Sequence, residues 1–264
     1  MDVSGKNIVI TGGGSGIGEG MARRFAAEGA ANIVVADLDG DNAQRVAEEV
    51  GGHSITCDVS AEANVVAMIA AANNHMGHID MMVSNAGIAG GRGLDTPSEL
   101  TQKMFDIHVN AHIWAAREVV PGMIERGGGY LLHTISAAGL ISGPTPMPYV
   151  TTKHASFGFS EWCGIHLKPK GVGVSTLCPT MVITPGFAPP KPPPGVEPPK
   201  DLAPPMSVEE CMDALMDGLA EERFIILPEP GVADMWAARG NDYDAWIGQM
   251  GAMFAGTPPP GARS

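Results

Sequence analysis

The sequence predicts an α/β fold: a doubly wound parallel sheet of about seven strands flanked by helices. Three observations carry this. Short apolar segments alternate with stretches of helical spacing along most of the 264 residues. A glycine-rich turn, Thr11-Gly12-Gly13-Gly14-Ser15-Gly16-Ile17-Gly18, separates the first such strand from the first helix. An acid, Asp37, closes the second strand about 20 residues further on. Strands of this kind are buried on both faces, and right-handed crossovers place helices on both sides of one sheet, a Rossmann-like arrangement in a single domain.

Asn7 to Thr11 is the first strand. Gly16 to Glu28 follows with Ile17, Met21, Phe25 and Ala26 on one helical face. Asn32 to Ala36 is the second strand, Asp41 to Val50 a helix, and His53 to Cys57 the third strand. A helix over Ala61 to His75 leads to a strand at Asp80 to Ser84. A long helix is expected over Ser98 to Glu125, kinked or ended by Pro121, which has no N–H to donate. Tyr130 to Ile135 is a strand, Pro148 to Leu167 a helix and Val172 to Cys178 another strand. A helix near Ser207 to Ala220 and a strand at Phe224 to Leu227 complete the alternation.

One segment breaks the pattern. Residues Thr184 to Pro205 are so rich in proline that neither a helix nor an interior strand is open to them. They are expected to be extended and exposed, placed either as a lid over substrate or as a disordered surface insertion. The tail, Gly256 to Ser264, is expected to fray.

Composition narrows the function. A net charge of −13 argues against nucleic acid or an anionic membrane as partner, because neither attracts such a chain. Aromatic residues make up only 5%, so aliphatic side chains and 16 methionines must fill the core. Cys57, Cys163, Cys178 and Cys211 form no CxxC pair; reduced thiols in a cytoplasmic protein are the expectation. No signal-peptide pattern precedes the first strand, and no apolar run approaches the roughly 20 residues that span a bilayer.

The chemistry is concentrated in Tyr149-Val150-Thr151-Thr152-Lys153, with Ser136 upstream. Positions i and i+4 of a helix share a face, so Tyr149 and Lys153 project side by side. A phenol has a reference pKa of about 10 and is a poor acid or base near neutrality; an adjacent ammonium lowers it. A serine hydroxyl beside them can donate to a carbonyl or alcohol oxygen. The glycine turn lets backbone N–H groups approach a pyrophosphate at a helix N-terminus. Asp37 suits the two adenosine ribose hydroxyls and repels a 2′-phosphate, unless it is only a solvated acid beside Asp39 and Asp41. Ser15 stands where a basic residue would bind that phosphate, so NAD is favoured over NADP. His108 and His112 have zinc-pair spacing, but no HExxH pattern or third ligand accompanies them; a structural or interface role is expected and no metal. Met147, Met181 and Met206 suit either core or an adaptable apolar pocket.

Several ordered motifs together resemble those of the classical short-chain dehydrogenase/reductase family. They are the TGxxxGxG turn, Ser84-Asn85-Ala86-Gly87, Asn110, Ser136, Tyr149 with Lys153, and Pro179-Thr180. The resemblance implies a catalytic tetrad: Tyr149 as acid/base, Lys153 lowering its pKa and holding the nicotinamide ribose, Ser136 polarising the substrate oxygen, and Asn110 positioning a relay water. It implies cofactor contacts from Gly12, Ser15, Gly16, Ile17, Gly18 and Asp37, from Asp58 and Val59 at the adenine, and from Asn85, Ala86 and Gly87. Tyr149, Lys153 and Pro179, with Val182 and Thr184 at the carboxamide, complete them. It further implies a homotetramer or dimer, assembled through the long helix and the helix of Tyr149. Two positions depart from the family pattern: Ser84 replaces an asparagine, and Thr180 replaces a glycine, where a side chain narrows the pocket or alters the lid. The function expected is an NAD-dependent oxidoreductase interconverting a secondary alcohol and a ketone, with an apolar or cyclic substrate. A non-catalytic dinucleotide-binding regulator or scaffold is the alternative, and the intact tetrad argues against it. Ala137, Ala138, Leu140, Ile141, Met147, Met181 and Phe187 are candidate pocket residues; Arg92 either binds a carboxylate or is a solvated surface charge.

Overall fold

A computed structural model describes residues 1–143, 145–185, 205–253 and 255. The proline-rich segment therefore lies outside the described residues from 186 to 204, as does the tail from 256 onward. Seven parallel strands form one sheet in the order β3-β2-β1-β4-β5-β6-β7. They are β1 (Asn7–Thr11), β2 (Asn32–Asp37), β3 (His53–Thr56), β4 (Met81–Ser84), β5 (Gly129–Thr134), β6 (Val172–Leu177) and β7 (Ile225–Ile226). The order reverses between β1 and β4, the switch point beyond whose carboxyl strand ends such sheets bind ligands.

Helices α1 (Gly16–Ala27), α2 (Gly40–Val50) and α7 (Val208–Ala220) contribute to the core on one side of the sheet, where Met21, Phe25, Val46 and Leu215 meet Ile8 and Ile10. Helices α3 (Glu62–Met76), α4 (Ser98–Phe105), α5 (Ala111–Glu125) and α6 (Met147–Leu167) follow in the chain. On the second side, Ile69, Val119 and Leu167 pack with Val9, Met82 and Leu131. Adjacent residues of β1 thus serve opposite cores, as the two-residue period of a strand requires. The central strands β1 and β4 are buried at every position, hence their unbroken apolar runs.

Three features depart from the sequence reading. The long helix is interrupted: Asp106–Asn110 forms a π-turn between α4 and α5. Pro121 does not end it, because α5 continues to Glu125 with Val119 and Met123 buried on either side. Beyond β7 the chain forms α8 (Val232–Asn241) and α9 (Tyr243–Met253), for which the sequence reading has no element. Each of these two helices buries a single residue, Val232 and Trp246, so neither carries the apolar stripe that betrays an amphipathic helix. Among the described residues, no helix is long and apolar enough to cross a membrane.

Candidate active site

The glycine turn, Asp37, Asp58, Asn85 and Ser136 lie at or just beyond the carboxyl ends of β1 to β5, whereas Tyr149 and Lys153 lie on α6 and Asn110 in the π-turn. The turn after β1 depends on glycine at two points. Gly12 adopts φ +63°, and a Cβ there would stand 2.8 Å from Ala86 Cα; a Cβ on Gly18 would collide with the Gly12 carbonyl. Ser15 begins α1 without a side-chain capping bond, so the first-turn amides of Gly16 to Gly18 remain open to a ligand. The cradle therefore fits a pyrophosphate.

Asp37, at the end of β2, faces this turn. Its Oδ2 accepts the Gly14 N–H at 2.9 Å and its Oδ1 the Asp39 N–H at 3.0 Å. The third strand delivers Asp58 beside it, since the Cys57 N–H donates to the Asp37 carbonyl at 2.8 Å. The Asp58 carboxylate is held below its ordinary range by the Ser60 hydroxyl and N–H, and Val59 is buried. No basic residue adjoins Asp37 in sequence, but the fold brings one to the turn: Arg45 Nη2 donates to the Gly14 carbonyl at 3.0 Å. That guanidinium is already shared between Glu19 and Glu49, at 3.0 and 3.1 Å.

After β4, Asn85 ties the two central strands together. Its Nδ2 donates to the carbonyls of Thr11 (3.0 Å) and Gly12 (3.1 Å). The N–H groups of Asn85 and Ala86 donate to Thr11 Oγ1 at 3.0 and 3.2 Å. Gly87 lies against His108 and Lys153, near enough that a Cβ would come within 3.5 Å of His108 Nε2 and 3.8 Å of Lys153 Nζ.

Ser136 follows β5. Its hydroxyl donates to the Pro179 carbonyl at 3.3 Å and accepts the Ala138 N–H at 3.1 Å. The same carbonyl accepts the Ala137 N–H at 2.9 Å. Lys153, buried on α6, donates from Nζ to the Thr134 carbonyl at 3.2 Å. Its Nζ lies 5.6 Å from the centre of the Tyr149 ring. Burial pushes the Lys153 ammonium down to about 8. The Tyr149 phenol is raised by burial, and the Ser136 hydroxyl opposes that rise. Desolvation is the largest influence on the phenol, and the Lys153 ammonium is engaged by the Thr134 carbonyl.

Beyond Pro179, Val182 forms a parallel bridge with Met206. Thr184 covers the glycine turn, with Cγ2 3.1 Å from where a Gly16 Cβ would stand. The two described ends of the proline-rich segment thus meet beside the cofactor cradle. Asn110 is engaged locally: its Nδ2 donates to Asp106 at 2.8 Å within the π-turn.

His108 belongs to this site although spacing alone marks it only as half of a zinc pair. Its Nε2 accepts the Ile88 N–H at 3.0 Å, so Nδ1 carries the proton shared with Thr152 Oγ1 at 2.9 Å. The ring stands edge-on to Tyr149, centroids 5.6 Å apart. Burial and the Lys153 charge push it down to about 2, so it remains neutral. His112 is buried beside His133 with neither ring nitrogen hydrogen-bonded among the described residues. No metal-binding cluster of His, Cys, Asp or Glu occurs among the described residues. Of the candidate pocket residues, Ala137 and Leu140 pack into a small core with Ile135, Cys178 and Val232, which Ile141 also covers, and Leu140 also lines a cavity with His154, Phe157 and Trp236. Arg92 is exposed, and Phe187 lies outside the described residues.

A doubly wound sheet with an open anion cradle, an acid at the second strand and a Ser–Tyr–Lys group at one edge is the architecture of a dinucleotide-binding oxidoreductase. The chain belongs to the short chain dehydrogenase family, whose profile matches residues 6–192. It is 34% identical over 193 residues to epidermal retinol dehydrogenase 2 of Mus musculus, covering 69% of this chain and 62% of that protein's length. It is 34% identical over 194 residues to 1-deoxy-11-beta-hydroxypentalenate dehydrogenase of Streptomyces exfoliatus, covering 70% of each. A short chain dehydrogenase/reductase from Burkholderia phymatum, solved in complex with NAD, superposes with a TM-score of 0.80 at 26% identity, over 93% of this chain and 96% of that one.

Proposed function

We propose that this protein is an NAD-dependent oxidoreductase interconverting a secondary alcohol and a ketone, with Tyr149 as the acid/base. The observation that carries the reading is the grouping of the Tyr149 phenol, the buried Lys153 ammonium and the Ser136 hydroxyl at the sheet edge that also holds the glycine cradle. When bound, the nicotinamide supplies the hydride chemistry. The residues do the rest. Ser136 turns its weakly engaged hydroxyl from the Pro179 carbonyl to the substrate oxygen. Tyr149, kept protonated by burial, donates its proton to that oxygen during reduction and recovers one during oxidation. Lys153 holds positive charge beside the phenol and favours its ionised form in the step where it acts as base. Asn110 leads the proton path to solvent.

Three features support NAD over NADP: the Asp37 carboxylate at the turn, the absence of a neighbouring base in sequence, and the occupation of Arg45 by two glutamates. Gly12, Ser15, Gly16, Ile17 and Gly18 would hold the pyrophosphate, Asp58 and Val59 the adenine side. Asn85, Ala86, Gly87, Pro179, Val182 and Thr184 would hold the nicotinamide side. Met147 lies two residues before Tyr149 on α6, and Met181 and Met206 meet beside Val182; all three are half-buried and favour an apolar substrate. The lid expected from Thr184 to Pro205 lies outside the described residues from 186 to 204. Exposed Trp162 and Ile165 on α6 support assembly as a homotetramer through that helix. The four cysteines, buried and free, suit a reducing cytoplasm.

The test is NADH formation over a panel of aliphatic, cyclic and aromatic secondary alcohols, repeated with NADP and with Tyr149→Phe. Turnover with NAD that the phenylalanine variant lacks is expected. Turnover that survives in the variant removes Tyr149 from the chemistry, and equal use of NADP removes the cofactor assignment.

A further inference from the structure

Thr180 stands where the family pattern has glycine, and the fold gives it a distant partner. Glu229 lies in the turn between β7 and α8 and is only 4% exposed. Its Oε1 accepts both the Thr180 N–H, at 3.0 Å, and the Thr180 hydroxyl, at 2.5 Å. Its Oε2 is buried and has no hydrogen-bond partner among the described residues. Burying a carboxylate is costly unless hydrogen bonds compensate it, and an O–H···O⁻ contact this short is of the strong, charge-assisted kind. Only half of this carboxylate is compensated, so a function that needs it there would explain the burial. The backbone does not demand glycine at 180: among the described residues, Glu222 is the one non-glycine with positive φ.

We propose that Glu229, a buried carboxylate, and Thr180, exposed at its other end, form a latch that positions residues Thr180 to Thr184 over the cofactor cradle. This rests on the reading above that the segment faces the nicotinamide. Thr180 is flanked by fastened residues on both sides. Before it, the Pro179 carbonyl accepts from Ser136 and Ala137. After it, the Met206 N–H donates to the Met181 carbonyl at 3.0 Å, the Ile183 N–H donates to the Met206 carbonyl at 2.9 Å, and Thr184 packs on Gly16. The latch therefore sits between the candidate catalytic serine and the residues that would meet the nicotinamide. Releasing it lets the Pro179–Thr180 peptide turn and disturbs both sides at once. Glu229 touches no reacting atom; it is a positioning residue, acting through Thr180. The hydroxyl that replaces glycine faces this carboxylate, so the departure from the family pattern supplies a fastening.

Four variants of the full chain test this: Thr180→Val, Glu229→Gln, the double variant, and Thr180→Ser, which keeps the hydroxyl. Hydrogen exchange of residues 180–184 is measured without cofactor, and NADH affinity by fluorescence titration. Thr180→Val and Glu229→Gln should each speed exchange in that segment about tenfold and weaken NADH about five- to twentyfold, as loss of one charge-assisted bond implies. Amides of β1 and β5 should be unaffected, Thr180→Ser should match wild type, and the double variant should be no worse than the worse single one. Wild-type exchange in both single variants overturns the latch, and so does faster exchange with unchanged NADH affinity. If the wild-type protein binds no NADH, the cofactor reading fails with it and the positioning role falls; the exchange data then decide whether the fastening itself exists.

Discussion

Replacing Lys153 by methionine should make the protein more stable while destroying its proposed activity. The ammonium is buried, with one hydrogen bond, to the Thr134 carbonyl at 3.2 Å. Burial lowers its pKa from 10.5 to about 8. At about 1.36 kcal/mol per pKa unit, keeping the group charged at pH 7 costs the folded state about 3.4 kcal/mol. Methionine fills a similar volume without that cost, but it leaves the Thr134 carbonyl without its donor, a loss of about 1–1.5 kcal/mol. The net gain is about 2 kcal/mol at pH 7, or about 4 °C in Tm for a chain of this size. The pH dependence is specific. Below about pH 8 both folded and unfolded wild type carry the charge and the full penalty applies. Between about 8 and 10.5 the unfolded chain binds more protons than the folded one, so wild-type stability rises relative to the variant. Above 10.5 lysine is neutral in both states and the electrostatic advantage of methionine is gone. Thermal melts of both proteins from pH 6.5 to 11, without cofactor, measure it. A lower Tm for Lys153→Met at pH 7, or an advantage independent of pH, would refute the reasoning.

Three further outcomes follow from the site. Tyr149→Phe should lower kcat at least a hundredfold and leave the NADH dissociation constant within about twofold, because only the proton path is removed; a parallel loss of NADH affinity would show that the phenol binds cofactor and does not act as acid/base alone. Asp37→Ser combined with Leu38→Arg should shift kcat/KM toward NADPH by at least about tenfold, about 1.4 kcal/mol, and cost some stability through the lost Gly14 bond; unchanged preference would free Asp37 of its role. His108→Leu should lower Tm by about 2–6 °C, since a partly buried Ile88 N–H without an acceptor costs about 1–3 kcal/mol; an unchanged Tm would mean that a water replaces the imidazole.

The sheet was legible because its strands are buried on both faces and announce themselves as apolar runs. The cradle was legible because Gly12 and Gly18 meet backbone atoms at distances no side chain allows. The remainder was hidden for identifiable reasons. Helices α8 and α9 bury too little to leave a period. The π-turn joins two segments that each read correctly as helix. Leu140 has the character of a pocket residue, but its neighbour Val232 comes from α8, an element the sequence did not announce. Glu229, between Pro228 and Pro230, reads as a solvated loop acid, and only the adjacency of the loops after β6 and β7 brings it to Thr180. Asp37 illustrates the converse: its position was predictable, its bond to the Gly14 amide was not.

The π-turn at Asp106–Asn110 makes chain length, rather than residue type, the sensitive variable in the long helical stretch. One residue of an α-helix advances the side-chain direction by about 100°. The wider π-turn already takes up one residue more than an α-turn, so a further residue inserted beside these five positions would rotate α4 against α5 by that angle. Met104 and the buried face of Ala111, Ala115 and Val119 could then no longer point inward together. Substitutions are absorbed one side chain at a time, whereas a single-codon insertion here would set the two halves of the stretch against each other. Relatives of this fold that keep the turn should therefore vary freely in composition across it and not at all in spacing.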